Sequence, residues 1–185
     1  MKQLAAGASF ERAASKPNIN LHGDVTIEPA NREHLPQIAA LARVVWRACY
    51  PGIISVEQIE FMLDWMYDVK KLESELTSGI RFDRLISSDT LIGFSSYGPE
   101  QNEMKLHKLY IHPDWQRHGF GTRLLKHVEA QANAAGFNQV VLGVNKKNRP
   151  AIAAYQKNGF TIQESIITQI GNGFVMDDYV MAKPV

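Results

Sequence analysis

Residues 105–125 have the sequence KLHKLYIHPDWQRHGFGTRLL, and they decide the fold. Apolar, aromatic and long polar side chains mix over residues 104–111, which predicts a strand. Residues 112–114, His-Pro-Asp, end this strand because proline has no amide hydrogen to donate to a sheet. The glycine-rich segment 116–121, QRHGFG, leads into a predicted helix over 119–135, whose apolar face is Leu124, Leu125, Val128 and Ala132.

A strand, a basic glycine loop and a helix in this order predict a binding site for a phosphate. The first amide hydrogens of a helix have no acceptor within the helix and carry partial positive charge. Gly119 and Gly121 let a phosphate approach the backbone without a Cβ in the way, while Arg117 and His118 add side-chain donors. Neither of the usual nucleotide-binding motifs is present. The dinucleotide fingerprint would need a third glycine where this chain has Leu124, and the triphosphate-binding loop would need Gly-Lys-Ser/Thr where this chain has Gly-Thr-Arg over 121–123.

Length and composition indicate one globular domain. The chain has 185 residues, of which 45% are hydrophobic and 21% charged, and its formal net charge is +1. We therefore expect no nucleic-acid or membrane partner. We expect residues 24–185 to form the domain and the Ala/Ser-rich residues 1–23 to form an arm or extension. No apolar run approaches the roughly 18 residues of a membrane span, so a cytoplasmic location is the expectation.

Cysteine and histidine usage excludes several kinds of site. Cys49 is the single cysteine, which rules out an internal disulfide and a cysteine-only zinc site. The six histidines are dispersed, with no His-x-x-x-His pair near a carboxylate, so we expect no metal.

Hydrophobic periodicity and turn residues predict the order of the remaining elements. The pattern favours a mixed α/β sheet with helices on both faces. The predicted helices cover residues 31–50, 55–68, 69–78, 119–135 and 148–158. The predicted strands cover residues 24–29, 80–87, 90–97, 104–111, 138–144, 160–169 and 174–181, with a turn at 98–102.

Two blocks of the chain resemble the GNAT family, the GCN5-related N-acetyltransferases. Gln116-x-x-Gly119-x-Gly121 after a strand resembles the family's acetyl-CoA motif, Q/R-x-x-G-x-G/A. Residues 140–144, VVLGV, begin a second block that ends on Asn158-Gly159-Phe160, so the resemblance covers about residues 104–160. It implies a mostly antiparallel seven-stranded sheet with a central splayed parallel pair. It also implies an N-acetyltransferase with acetyl-CoA as cosubstrate.

The resemblance also implies where the coenzyme would bind. The pantetheine arm would enter between residues 107–111 and 139–144, bonded by the backbone of 109–111, and the pyrophosphate would lie on 116–122. By the residues alone, the strand positions could simply be core and Asn148 an ordinary helix cap. The implied coenzyme-binding residues are Leu109, Tyr110, Ile111, Gln116, Arg117, His118, Gly119, Phe120, Gly121, Thr122, Asn145, Asn148, Ala151 and Tyr155.

The resemblance makes Tyr155 the candidate acid that protonates the leaving thiolate. A phenol with a pKa of about 10 can supply such a proton, although an aromatic residue on a short helix could equally pack against the sheet. The general base is left unassigned, because Lys105 occupies the position of the glutamate in histone-type members. Glu103 and His107 are the candidates, and strand alternation predicts both on the face of Lys105.

The resemblance also implies that the first two helices and the last hairpin recognise the acceptor. Trp46 and Tyr50 could line the acceptor pocket. Asp177 and Asp178 point to opposite faces of a strand, so one of them could meet a cationic acceptor such as a polyamine. A small-molecule primary amine is favoured. The alternatives are a peptide or protein acceptor and a non-catalytic coenzyme-binding module, and the oligomeric state stays open, a homodimer included.

Overall fold

The computed structural model describes residues 24–185, so the expected N-terminal arm lies outside the described residues. The helices are α1 (Leu35–Cys49), α2 (Val56–Met66), α3 (Val69–Thr77), α4 (Phe120–Ala134) and α5 (Arg149–Lys157). The strands are β1 (Val25–Pro29), β2 (Arg81–Ser87), β3 (Thr90–Glu100), β4 (Glu103–Ile111), β5 (Gln139–Asn145), β6 (Thr161–Gly171) and β7 (Phe174–Pro184).

The seven strands form one sheet in the order β1-β2-β3-β4-β5-β7-β6. The pair β4–β5 is parallel, and the other neighbours are antiparallel. This arrangement confirms the predicted mixed sheet with its central parallel pair.

The parallel pair β4–β5 is joined over only part of its length. Its ladder matches residues 104–106 with 140–142, and the described pairing ends there. Toward β3, the register shifts so that Ser96 faces Lys108 while Tyr97 faces Leu106, which leaves His107 as the extra residue of a β-bulge. A bulge bends its strand, so β4 turns away from β5 just beyond the paired segment. The splayed pair implied by the family resemblance is thus present.

Helices cover both faces of the sheet. On one face, α1, α2 and α3 pack on Phe82 and Phe94 in a cluster that includes Leu35, Ile38 and Trp46. On the other face, the helices α4 and α5 pack against β3, β4, β5 and β7. The apolar face predicted for α4 is confirmed, since Leu124, Leu125, Val128 and Ala132 are all buried.

Two of the boundaries that differ from the sequence prediction have a clear local cause. The first α-helix begins at Leu35 rather than at residue 31, after a single 3-10 turn over Arg32–His34 that is capped by Asn31. The strand β3 runs through the predicted turn at Gly98-Pro99 and ends at Glu100. Proline is tolerated there because the pairing with β2 stops at Tyr97, so Pro99 lies on a free edge.

Candidate active site

A cavity of about 650 Å³ lies where β4 and β5 separate. Its lining includes residues 106–111 of β4 and 142–145 of β5. Residues of α1 and α2 line it from one face of the sheet, and residues of α4 and α5 line it from the other. The cavity therefore runs through the sheet, so that two molecules can meet in the gap from opposite faces.

The glycine loop forms one wall of this cavity at the start of α4. Arg117 and Gly119 have positive φ values of 65° and 84°, which turn the loop around the helix start. A Cβ on Gly121 would meet only Leu109 Cδ2, at 3.9 Å, so the protein itself does not require a glycine there. The free first-turn amides of α4 and the space above Gly121 fit the pyrophosphate of a coenzyme.

The motif glutamine holds the loop rather than pointing at a phosphate. The Gln116 amide Nε2 donates to the Ile111 carbonyl at 3.0 Å and contacts Cys49 Sγ at 3.4 Å. Both hydrogen bonds join the loop to the end of β4 and to α1. We conclude that Gln116 sets the distance between the loop and the strand.

The short helix α5 brings two further predicted residues to the cavity. Asn148 caps this helix, because its side-chain oxygen accepts a hydrogen bond from the amide of Ala151 at 3.3 Å. Tyr155 lines the cavity, and its ring packs 5.8 Å from that of Phe160. Burial raises the pKa of the Tyr155 phenol, with a smaller contribution from Tyr110. The phenol therefore keeps its proton at neutral pH, as an acid requires.

The β-bulge places His107 in the cavity and Lys108 in the core. The His107 Nε2 atom is buried without a hydrogen-bond partner among residues 24–185. Burial and then the charges of Lys108 and Lys105 lower the pKa of His107 to about 4, so its ring is neutral at pH 7. Lys108 is 3% exposed, and its ammonium donates to Glu75 Oε2 at 2.6 Å.

Aromatic residues and one carboxylate line the cavity on the α1–α2 side. The rings of Trp46 and Tyr50 stack with centroids 4.1 Å apart, and both line the cavity with Tyr110. Asp178 is 5% exposed and lines the cavity from β7. Burial raises the pKa of its carboxyl to about 6, the charge of Asp177 adds to the rise, and Lys146 offsets part of it.

The structure brings most of the sequence-predicted site residues together around this cavity. Four do not line it. Glu103 instead accepts a hydrogen bond from Gln139 at 2.7 Å, and Asp177 pairs with Lys146. Phe120, the first residue of α4, packs in the core. The centroid of the His118 ring lies 6.4 Å from that of the Phe120 ring.

Several lining residues were not among the predicted site residues. They include Gln58, Met62, Met66, Lys108, Asn158 and Met176. Met62 and Met66 lie within the predicted helix 55–68, but a helical pattern gives no sign that one face of the helix borders a cavity. Lys108 was missed because its placement depends on the bulge.

Residues 24–185 contain neither a metal-binding cluster nor a membrane-spanning helix. No group of three or more histidine, cysteine, aspartate and glutamate residues in this range could hold a metal ion. Within the same range, no helix is long and apolar enough to cross a membrane.

The splayed strands, the glycine loop at the start of α4 and the tyrosine on α5 define a coenzyme-dependent acyltransferase. The model of the acetyltransferase (GNAT) family matches residues 42–160, which is more than half of the chain. The chain therefore belongs to the GNAT family and is an acetyl-CoA-dependent N-acetyltransferase.

Individual relatives agree with this assignment. The chain is 28% identical over 158 residues to the spermidine N(1)-acetyltransferase of Thermoplasma acidophilum. The alignment covers 83% of this chain and 96% of the relative. It is similar to the crystal structure of PaiA N-acetyltransferase from the same organism in complex with coenzyme A. That similarity has a TM-score of 0.77 and 28% identity, over 88% of this chain and 99% of the other.

A more distant structure shares the fold. The ribosomal-protein-S18-alanine N-acetyltransferase of Escherichia coli has a TM-score of 0.67 at 20% identity, over 87% of this chain and 94% of the other.

Proposed function

We propose that this enzyme acetylates the primary amine of a small molecule, with polyamines as one class of acceptor. The cavity through the sheet carries the proposal, because it offers the coenzyme and the acceptor separate walls that meet at the β4–β5 gap. The similarity to a spermidine N(1)-acetyltransferase supports an acceptor of this size and chemistry.

We assign the coenzyme to the α4–α5 side of the cavity. The space over Gly121 and the first-turn amides of α4 would take the pyrophosphate. The backbone of residues 109–111, which β5 leaves unpaired, would bond the pantetheine arm. Acetyl-CoA supplies the thioester that the acceptor attacks.

The reaction would proceed by direct attack in a ternary complex. The amine nitrogen bonds to the thioester carbonyl carbon, the C–S bond breaks, and its electron pair moves to sulfur. Tyr155 gives its proton to the thiolate. The acceptor ammonium loses two protons in becoming an amide nitrogen, of which one restores Tyr155 and the other leaves to solvent.

Between the two candidate bases, the geometry favours His107. Its neutral ring lines the cavity with a buried, unpartnered Nε2, whereas Glu103 is bonded to Gln139 outside the cavity lining. Because its pKa is about 4, His107 would pass the acceptor's proton on to water rather than keep it.

Thiol release from acetyl-CoA tests the proposal. The enzyme should be assayed with monoamines, polyamines, amino acids and short peptides, with each acceptor omitted in turn as the control. Release that depends on a small primary amine is the expected result. If only peptides cause thiol release, the acceptor is a peptide rather than a small amine. If none of these acceptors increases thiol release, the proposal is overturned.

A further inference from the structure

The charges around the cavity are unevenly distributed. Among residues 24–185, Asp178 is the one carboxylate that lines it. Lys108 is already paired with Glu75, and Arg117 lies on the glycine loop, at the start of α4. The acceptor side therefore offers a single site for a cation.

Asp178 is placed at the β4–β5 gap. It lies opposite Asn145, the last residue of β5, and a Cβ on Gly143 would lie 3.7 Å from its Oδ2. Its Oδ1 is buried without a hydrogen-bond partner among residues 24–185. A buried carboxylate oxygen without a partner is costly, which is a reason to expect that a ligand supplies the missing donor.

On its cavity side, the Asp178 carboxylate lies near the hydroxyl groups of Tyr50 and Tyr110. Burial raises the pKa values of Tyr50 and Tyr110, and the charge of Asp178 adds to both increases. The adjacent Asp177 is turned away and pairs with Lys146. Lys146 is not among the cavity-lining residues, so it leaves the cavity side of Asp178 open to a ligand.

The aromatic wall is held in place from behind. The Trp46 indole donates its N–H to the Tyr67 hydroxyl at 3.3 Å, and Tyr67 is 1% exposed. The ring of Tyr50 stacks on the ring of Trp46 with an interplanar angle of 7°. Aromatic rings of this kind contact both apolar groups and the positive charge of an ammonium.

Apart from Gln58, whose Nε2 already donates to the Val175 carbonyl at 2.7 Å, the rest of the acceptor side is mostly apolar and adaptable. Its apolar part consists of branched aliphatic residues and of methionines, and the flexible methionine side chains fit varied ligand shapes. These residues are Ile53, Ile54, Met62, Met66 and Met176.

We infer that the acceptor is a primary amine with one cationic centre on an apolar body, held by Asp178 and the wall of Trp46, Tyr50 and Tyr110. This inference rests on the proposed function and narrows it. The ammonium bonds to Asp178 beside the gap, and the body lies against the aromatic and methionine side chains.

The same lining disfavours a polyamine. A second ammonium within the cavity would meet apolar side chains with no further carboxylate to pair with it. Taking such a charge out of water without a partner is costly. A polyamine would have to leave its remaining charges in solvent, and its body would bury less apolar surface against the methionines than an apolar one.

The first test compares 2-phenylethylamine with spermidine at fixed acetyl-CoA. We expect kcat/KM for 2-phenylethylamine to be at least tenfold higher. If spermidine is the better substrate, the inference is overturned while the proposed function stands. If no amine releases thiol, the dissociation constants of 2-phenylethylamine and of spermidine, measured by titration calorimetry with coenzyme A present, decide between the two ligands without turnover.

The second test removes the carboxylate. Asp178→Asn should raise KM for 2-phenylethylamine at least tenfold and leave KM for acetyl-CoA within twofold. Asp177→Asn, one residue away and outside the cavity, is the matched control and should change neither KM more than twofold. An unchanged amine KM in Asp178→Asn would overturn the assignment.

Two further comparisons separate charge recognition from a folding defect. Wild-type enzyme should be inhibited more weakly by the neutral analogue 2-phenylethanol than by N-methyl-2-phenylethylamine, and the difference should vanish in Asp178→Asn. Ile53→Glu adds a second carboxylate at a partly exposed position, so the ratio of spermidine to 2-phenylethylamine kcat/KM should rise at least tenfold. Equal inhibition by both analogues in the wild type would contradict the role of Asp178.

Discussion

Asp178 lies opposite Asn145 in the β5–β7 ladder, which puts a buried carboxylate at the end of the central parallel strand. Its raised pKa of about 6 means that the folded protein holds this proton more tightly than the unfolded chain. An ordinary aspartate in an unfolded chain has a pKa of about 3.9. The buried charge therefore opposes folding at neutral pH.

Asp178→Asn should stabilise the protein at pH 7.5 by about 2 kcal/mol, because it removes this buried charge. Between pH 4 and pH 6 the folded state binds more protons at this site, so the wild type loses stability as pH rises through that window. The gain from the variant should disappear near pH 4. Urea unfolding at several pH values measures the difference in the free energy of unfolding between the wild type and Asp178→Asn. Equal urea midpoints for the two proteins at pH 7.5 would contradict the prediction.

Tyr155→Phe should lower kcat by about a hundredfold or more, because the variant lacks the proton that the thiolate takes. Coenzyme binding and stability should change little, since the phenyl ring still packs on Phe160. Steady-state thiol release measures kcat, with Tyr179→Phe as the control for loss of a phenol outside the cavity lining. Full turnover in Tyr155→Phe would remove this residue from the mechanism.

Gly121→Val should raise KM for acetyl-CoA at least tenfold while the protein stays folded. A Cβ has room at this position, because its nearest atom is 3.9 Å away, and the two methyl groups of valine would extend into the approach to the first amides of α4. Gly136→Ala is the contrasting control at the other end of the helix. Its positive φ of 81° makes alanine cost about 1 kcal/mol of stability, with no change in KM.

Glu75→Gln should destabilise the protein by about 3 kcal/mol, because it leaves the Lys108 ammonium buried without its partner. The double variant with Lys108→Met should regain most of that loss. Asp64→Asn, which breaks the exposed pair with Arg43, should cost less than about 1 kcal/mol. Chemical unfolding of the wild type, these three variants and the single variant Lys108→Met measures these differences, and additive losses in the double variant would contradict the account.

The sequence was sufficient to predict the element order and the glycine loop because both depend on local signals. Periodicity located the helices, and glycines with adjacent basic residues marked the anion site. The splayed pair came from the family resemblance rather than from periodicity, since nothing local distinguishes a strand that separates from its neighbour.

Side-chain placement beyond the bulge could not be predicted from alternation. Residues two apart in a regular strand share a face, yet Leu106 packs on the α4 side and Lys108 pairs with Glu75 of α3. The extra residue, His107, breaks the alternation that was used to group it with Glu103. Similarly, alternation separated Asp177 from Asp178, but only the β5–β7 register decides which one enters the cavity.

Because the cavity crosses the sheet, each substrate has its own approach to the point of contact. With the coenzyme on the α4–α5 side, as proposed, an amine would enter and an amide would leave on the α1–α2 side without displacing it. Neither substrate would then have to bind first, and an excess of one would not shut out the other. In this arrangement, the gap between two diverging strands would determine the order of substrate binding as well as the position of the chemistry.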